Sequence, residues 1–152
     1  MIKYAPLNVN KVRNLIADIQ NSIGELEKLV GVDFEIYKKD PKNYGLTEHY
    51  FRRALEATLT IGTHLLSRMP AKTKDYTEII VSLGKFNIVP QDFAERNKGL
   101  AGYRNRLVHM YWEVSEEELY KTVKEHMKDL NEFCSYFQSV LENPAKFSLS
   151  VF

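Results

Sequence analysis

Apolar side chains recur in steps of three and four through most of this chain, and no stretch alternates apolar and polar residues for a useful length. That periodicity excludes sheets and barrels and leaves packed helices. Residues 8–31 place Val12, Leu15, Ile16, Ile19, Ile23, Leu26, Leu29 and Val30 on one stripe, with Asn8 or Asn10 as the cap and Gly31 at the C-terminal stop. Residues 32–46 lose the period and carry the turn signals Asp40-Pro41 and Asn43-Tyr44-Gly45, so they read as a long connection with room for a short element. A second helix is expected from a Thr47 cap to just before Pro70, its inner face Phe51, Leu55, Thr58, Leu59, Gly62, Leu65, Leu66 and Met69. Gly62, Ala54, Ala57 and Thr58 are small enough to admit a close neighbour.

A shorter helix over 75–86 is built on Tyr76, Ile79, Ile80, Leu83 and Phe86. Pro90 then opens a fourth helix with Phe93, Leu100, Tyr103 and Leu107 along one side. Ser115-Glu116-Glu117-Glu118 is a capping box, Glu118 being placed to reach back to the Ser115 amide. The helix it starts runs through Leu119, Val123, Met127, Leu130, Phe133, Phe137 and Leu141 to Asn143-Pro144. The expected fold is all-α, an antiparallel bundle of four long helices and one short one.

At 152 residues the chain fits one domain, 1–152. No apolar run approaches the ~18 residues that span a bilayer, and Met1 to Pro6 offer no targeting signal. A lone Cys134 suits a reducing compartment, so a cytoplasmic location is expected. A net charge of +1 argues against wholesale electrostatic binding of nucleic acid, and any RNA contact must rest on a local patch.

Phosphate loops, His-x-x-x-His pairs and cysteine pairs are absent from the sequence. The Glu116–Glu118 run is better explained by the helix dipole than by a metal. His49 reads as facing solvent or a subunit contact, His64 as a packed, hydrogen-bonded histidine, His126 as a core position and Cys134 as a small buried hydrophobe.

One stretch resists a purely structural reading: Tyr103-Arg104-Asn105-Arg106-Leu107-Val108-His109-Met110-Tyr111. Arg96, Lys98, Arg104 and Arg106 stand against the single acid Glu95 between residues 95 and 106, a local cationic patch offered to RNA. Cleaving RNA without a metal needs a base for the 2′-hydroxyl proton, an acid for the leaving 5′-oxygen and a cation for the phosphate. An imidazole, with an ordinary pKa near ~6.5, can be base or acid, and a guanidinium grips phosphate bidentately. Arg104 and His109 are the candidates. On an ideal helix they point about 140° apart. Convergence therefore requires that the helix loosen near His109, or that two copies share a groove, which would also bring two histidines; a two-fold dimer is expected.

The spacing Arg104, four residues, His109, one residue, Tyr111 resembles the Arg-x-x-x-x-His-x-Tyr signature of the HepT-like toxins of the HEPN superfamily. The likeness extends over about residues 8–142. Arg53-Ala54-Leu55-Glu56-Ala57 with His64-Leu65-Leu66 looks like that family's second helix, and Val89 to Ala94 with Leu100 to His109 look like its fourth helix and motif. The resemblance implies a HEPN-like bundle and a ribonuclease site without metal or cofactor, formed by Arg104 and His109 and supported by Asn105. It implies further that Tyr111 accepts AMP from a cognate MNT-type nucleotidyltransferase antitoxin, which silences the toxin. Phosphates added there would occupy Arg104 and repel the RNA backbone. Many relatives carry Asn before the second-helix histidine where this chain has Thr63, and His64 is given no role.

The expected function is thus an endoribonuclease toxin restrained by a nucleotidyltransferase. Behind it stands a non-catalytic subunit that binds nucleotide or RNA for such a transferase, and then a purely structural adaptor. Loss of cleavage, survival of binding, or indifference of phosphate binding to Arg104→Ala separates the three.

Overall fold

The computed structural model describes residues 4–73 and 75–151. Residues 1–3, on which part of the reading of the N-terminus rests, lie outside the described residues. Seven α-helices occur among the described residues: α1 (Val9–Val30), α2 (Phe34–Tyr37), α3 (Lys42–Leu66), α4 (Tyr76–Lys85), α5 (Gln91–Asn97), α6 (Leu100–His109) and α7 (Glu116–Glu142). Short 3-10 turns follow α6 and α7, at Tyr111–Glu113 and Pro144–Phe147. None of these helices is long and apolar enough to cross a membrane.

The bundle is antiparallel. The start of α1 meets the end of α3, where the Asn8 N–H donates to His64 Nε2 at 3.1 Å. The end of α1 meets the start of α7, where the Tyr120 hydroxyl donates to the Val32 carbonyl. Between α1, α3 and α7 lie the fully buried Ile19, Leu26, Phe51, Leu55, Phe133 and Phe137, the stripes that the periodicity marked. Helices α4 and α6 pack against α3, while α5 packs on α4 and, through Phe93 against Phe133, on α7. Gly62 is the contact point: a Cβ there would lie 2.5 Å from Ile79 Cγ2 of α4. Expected small residues thus do admit a neighbouring helix.

Three expectations need correction. The second long helix starts at Lys42, not at Thr47. Pro41 caps it, the Lys42 N–H finds Asp40 Oδ1 at 3.0 Å, and Thr47 is buried inside, its hydroxyl donating to the Asn43 carbonyl at 2.7 Å. The Tyr37 hydroxyl donates to Thr47 Oγ1 at 2.8 Å and Asn43 Nδ2 to the Tyr37 carbonyl at 2.9 Å, knotting the one-turn α2 onto α3. The fourth long helix is broken into α5 and α6 by a turn at Lys98-Gly99. There the buried Asn97 side chain takes the Phe93 carbonyl at 3.0 Å, and glycine disfavours continuation. Tyr76, expected in the core of α4, is 41% exposed.

Candidate functional site

Helix α6 is anchored by Leu100, Ala101 and Leu107, which are buried. Their opposite and flanking positions carry the polar motif. Arg104 turns toward α3 and α4, with 19% of its side chain exposed. Its Nη2 lies 3.4 Å from Glu56 Oε1, its Nη1 donates to Asn105 Oδ1 at 3.0 Å, and its Cζ stands 5.3 Å from the centre of the Tyr76 ring. Glu56 is shared with Arg52 at 3.8 Å. A carboxylate, an amide and a ring face therefore orient the guanidinium, and the long Glu56 contact is one that a phosphate can displace. Buried Arg104 Nε has no hydrogen-bond partner among the described residues.

His109 closes α6 and is exposed. The helix does not loosen before it, because the Met110 N–H still donates to the Arg106 carbonyl at 2.8 Å. Regular helix over these five residues keeps Arg104 and His109 about 140° apart. The two side chains therefore leave the helix in diverging directions within one copy.

Directly beyond, Tyr111 (52% exposed) and Trp112 (69% exposed) form the outer edge of the 3-10 turn, their rings edge to face at 5.4 Å. This turn is pinned from α3: the Tyr44 hydroxyl donates to the Val114 carbonyl at 2.6 Å, with the Tyr111 carbonyl at 3.3 Å. Burial first, then Glu48, Glu116 and Glu118, raise the Tyr44 pKa and keep its proton in place for that bond. Tyr111 is left with a fixed backbone and an accessible ring.

The other cations expected at RNA are partnered. Arg106 binds Glu118 bidentately at 2.8 and 3.1 Å and lies over the Tyr103 ring. This hydrogen-bonded partner holds Glu118 below the usual carboxylate range. Ser115 Oγ does accept from the Glu118 N–H at 3.1 Å, but the Glu118 carboxylate faces α6 instead of returning to the Ser115 amide. Arg96 pairs with Asp129 at 3.0 Å and Glu132 at 3.6 Å, and Lys98 with Glu95. The excess charge counted along residues 95–106 is thus largely balanced by acids that α7 brings to it. Glu56, Tyr44 and Tyr76 were missed from the sequence, since each meets the motif from dozens of residues away and leaves no local pattern. His49 is exposed, His64 and Cys134 are buried, and His126 is half-buried, with Nδ1 3.9 Å from Asp129 Oδ2.

Curated proteins with related sequences include a tRNA nuclease HepT of Aphanizomenon flos-aquae, 26% identical over 103 residues, 66% of this chain and 69% of that one. An mRNA nuclease HepT of Shewanella oneidensis is 25% identical over 124 residues, 79% and 90% of the two chains. Among solved structures, the tri-AMPylated HEPN toxin of Shewanella oneidensis in complex with its MNT antitoxin superposes with a TM-score of 0.75 at 22% identity, covering 85% of this chain and 97% of that one. YutE, a cytosolic protein of unknown function from Bacillus subtilis, superposes with a TM-score of 0.80 at 19% identity, over 93% and 94% of the chains. The sequence profile of the Ribonuclease HepT-like family matches residues 19–137, which carry all of α3 to α6 and the Arg104–His109–Tyr111 spacing. The chain belongs to that ribonuclease family.

Proposed function

We propose that this chain is the endoribonuclease toxin of a toxin–antitoxin pair, that Arg104 and His109 carry its chemistry without a metal, and that AMP transfer to Tyr111 by an MNT-type nucleotidyltransferase silences it. One observation carries the reading. In a member of a ribonuclease family, one short element presents an oriented guanidinium, an exposed imidazole at its end and an exposed tyrosine two residues further on. The relatives support it: two are named as tRNA and mRNA nucleases, and one structural neighbour is an AMPylated toxin bound to its antitoxin.

In the reaction, the 2′-hydroxyl attacks the adjacent phosphorus as His109 takes its proton, while the bond from phosphorus to O5′ breaks. The charge that builds on the phosphate oxygens is met by Arg104, held by Asn105. O5′ receives a proton from a second imidazole, leaving a 2′,3′-cyclic phosphate and a 5′-hydroxyl. Because Arg104 and His109 diverge within one copy, the site is assembled from two copies about a two-fold axis, each giving one His109. AMP on Tyr111 puts phosphate next to this cleft and excludes the RNA backbone by charge.

Unmodified protein is expected to cleave RNA in a gel assay. His109→Ala should lose on the order of 10²–10⁴-fold in rate with unchanged helix content. Tyr111→Phe should remain toxic when its transferase partner is co-expressed, and its intact mass should gain no AMP. Wild-type protein, shown by mass to be unmodified, that leaves every RNA intact overturns the enzyme claim. The divergence of Arg104 and His109 in one copy favours one second reading, a non-catalytic RNA- or nucleotide-binding subunit; binding that survives His109→Ala without cleavage by either protein would select it.

A further inference from the structure

A straight polar lane runs along the exposed face of α3. Glu56, Thr60, Thr63 and Ser67 follow one another at intervals of four, three and four, so they fall within one narrow sector of the helix over about 16 Å. The near end of the lane is Glu56, the ion-pair partner of Arg104. The far end opens into a cavity of about 280 Å³ lined by Thr60 and Thr63 of α3, Ser67 at its C-terminal cap, Lys11 of α1, Arg68 and Tyr76. Asn8 and His64 complete its wall, and no carboxylate contributes.

Among the described residues nothing balances the cavity's charge. Neither Lys11 nor Arg68 has a carboxylate partner among the described residues, whereas Arg96, Lys98 and Arg106 each do. Arg68 is held rigidly by neutral groups: its Nε donates to the Pro6 carbonyl at 2.7 Å, and its Nη1 to the His64 carbonyl at 3.1 Å and Ser67 Oγ at 2.8 Å. His64 adds no counter-charge. Its Nε2 accepts from the Asn8 N–H, and burial, followed by Arg68 and Lys11, lowers its pKa to about 4. Two cations surrounded by hydroxyls in a recess are suited to one anionic group.

Tyr76 joins the two ends. One ring stands beneath the Arg104 guanidinium and also lines the cavity, and it is 41% exposed. We propose that the cavity between Lys11, Arg68 and Thr60 is a subsite for a backbone phosphate of single-stranded RNA, flanking the phosphodiester held at Arg104, with the Tyr76 ring between the two. This rests on the reading of Arg104 as the catalytic cation. It adds a direction: the RNA strand runs from α6 along α3 toward the start of α1, and the exposed ring gives an unpaired base a surface to stack on.

The experiment separates binding from cleavage. In the cleavage-deficient His109→Ala background, a fluorescent single-stranded RNA of about ten nucleotides is titrated at several salt concentrations. Adding Lys11→Ala should weaken binding on the order of tenfold and reduce the slope of log affinity against log salt by about 0.7. Arg68→Ala should do the same, and the exposed Lys11, whose side chain has no hydrogen bond or ion pair among the described residues, guards against a loss of folding in the Arg68 variant. In the active background, both substitutions should raise KM for the long RNA and leave kcat unchanged. A dinucleotide substrate, too short to reach the cavity, should be cleaved equally by variant and wild type. Inorganic phosphate should compete with the long RNA in the wild type more strongly than in Lys11→Ala. Unchanged affinity and salt slope in folded Lys11→Ala and Arg68→Ala overturn the subsite. Equal loss on the dinucleotide and the long RNA overturns it too, since it places these cations at the cleaved bond itself. If neither RNA is cleaved by any form while the salt-slope difference persists, the ribonuclease reading fails and the subsite stands.

Discussion

His64 is 5% exposed, its Nε2 accepts the Asn8 N–H, and its pKa is lowered to about 4. The unfolded chain takes up that proton near ~6.5, so between these values the unfolded state binds more protons than the native one. Stability contributed by the neutral ring is therefore complete above pH ~6.5 and is lost as pH falls toward 4. Chemical unfolding of the wild type should show a loss of about 2 kcal/mol between pH 7 and pH 5; in His64→Gln, which keeps an acceptor but cannot titrate, this loss should vanish. A protonation-independent wild type contradicts the assignment of His64 as a neutral acceptor. The sequence made His64 legible as a packed histidine because Leu65 and Leu66 sit beside it. It gave no hint of the Asn8 amide, 56 residues away. Arg104 and Glu56 are a similar case: the arginine stands in a recognisable spacing, and its carboxylate partner belongs to a helix whose rotation only the packing decides.

Among the helices, legibility follows locality. Stripes on α1, α3 and α7 and the cap at Ser115 are set by neighbours three or four residues apart and are legible, and of the two caps offered for α1 the structure selects Asn8. The early start of α3 was not, because Asn43-Tyr44-Gly45 carries turn propensity that the buried Tyr37–Thr47–Asn43 knot overrides. The break at Lys98-Gly99 was hidden by an apolar stripe that continues across it. Gly62 tests how tightly these elements are fitted. Gly62→Ala improves helix propensity by about 1 kcal/mol, yet drives a methyl to within 2.5 Å of Ile79 Cγ2 and 3.4 Å of Leu83 Cδ1. Ile79 is β-branched and cannot swing aside, so overpacking wins, and a net loss of about 1–2 kcal/mol is expected in thermal or urea unfolding. A more stable variant would mean that α4 slides freely on α3.

For the molecule as a whole, the proposed two-copy cleft would make activity a property of the assembly. If two copies build the cleft, specific cleavage activity should fall as the protein is diluted through its dimer dissociation constant, and sedimentation at the same concentrations should show the dimer disappearing in step. Specific activity that is flat through that transition would place a complete site in one copy. Helix α3 gives the single copy its own coherence. Tyr44 near its start fastens the turn bearing Tyr111, Glu56 at its middle steadies Arg104, and Thr60 to Ser67 border the cationic recess. One uninterrupted rod acts as a ruler for all three. An inserted residue between Tyr44 and Glu56 would turn everything beyond it by about 100°, uncoupling Tyr111, guanidinium and recess at a stroke. Descendants of this chain can retune the three by exchanging side chains, whereas changes of length are confined to the junctions between helices.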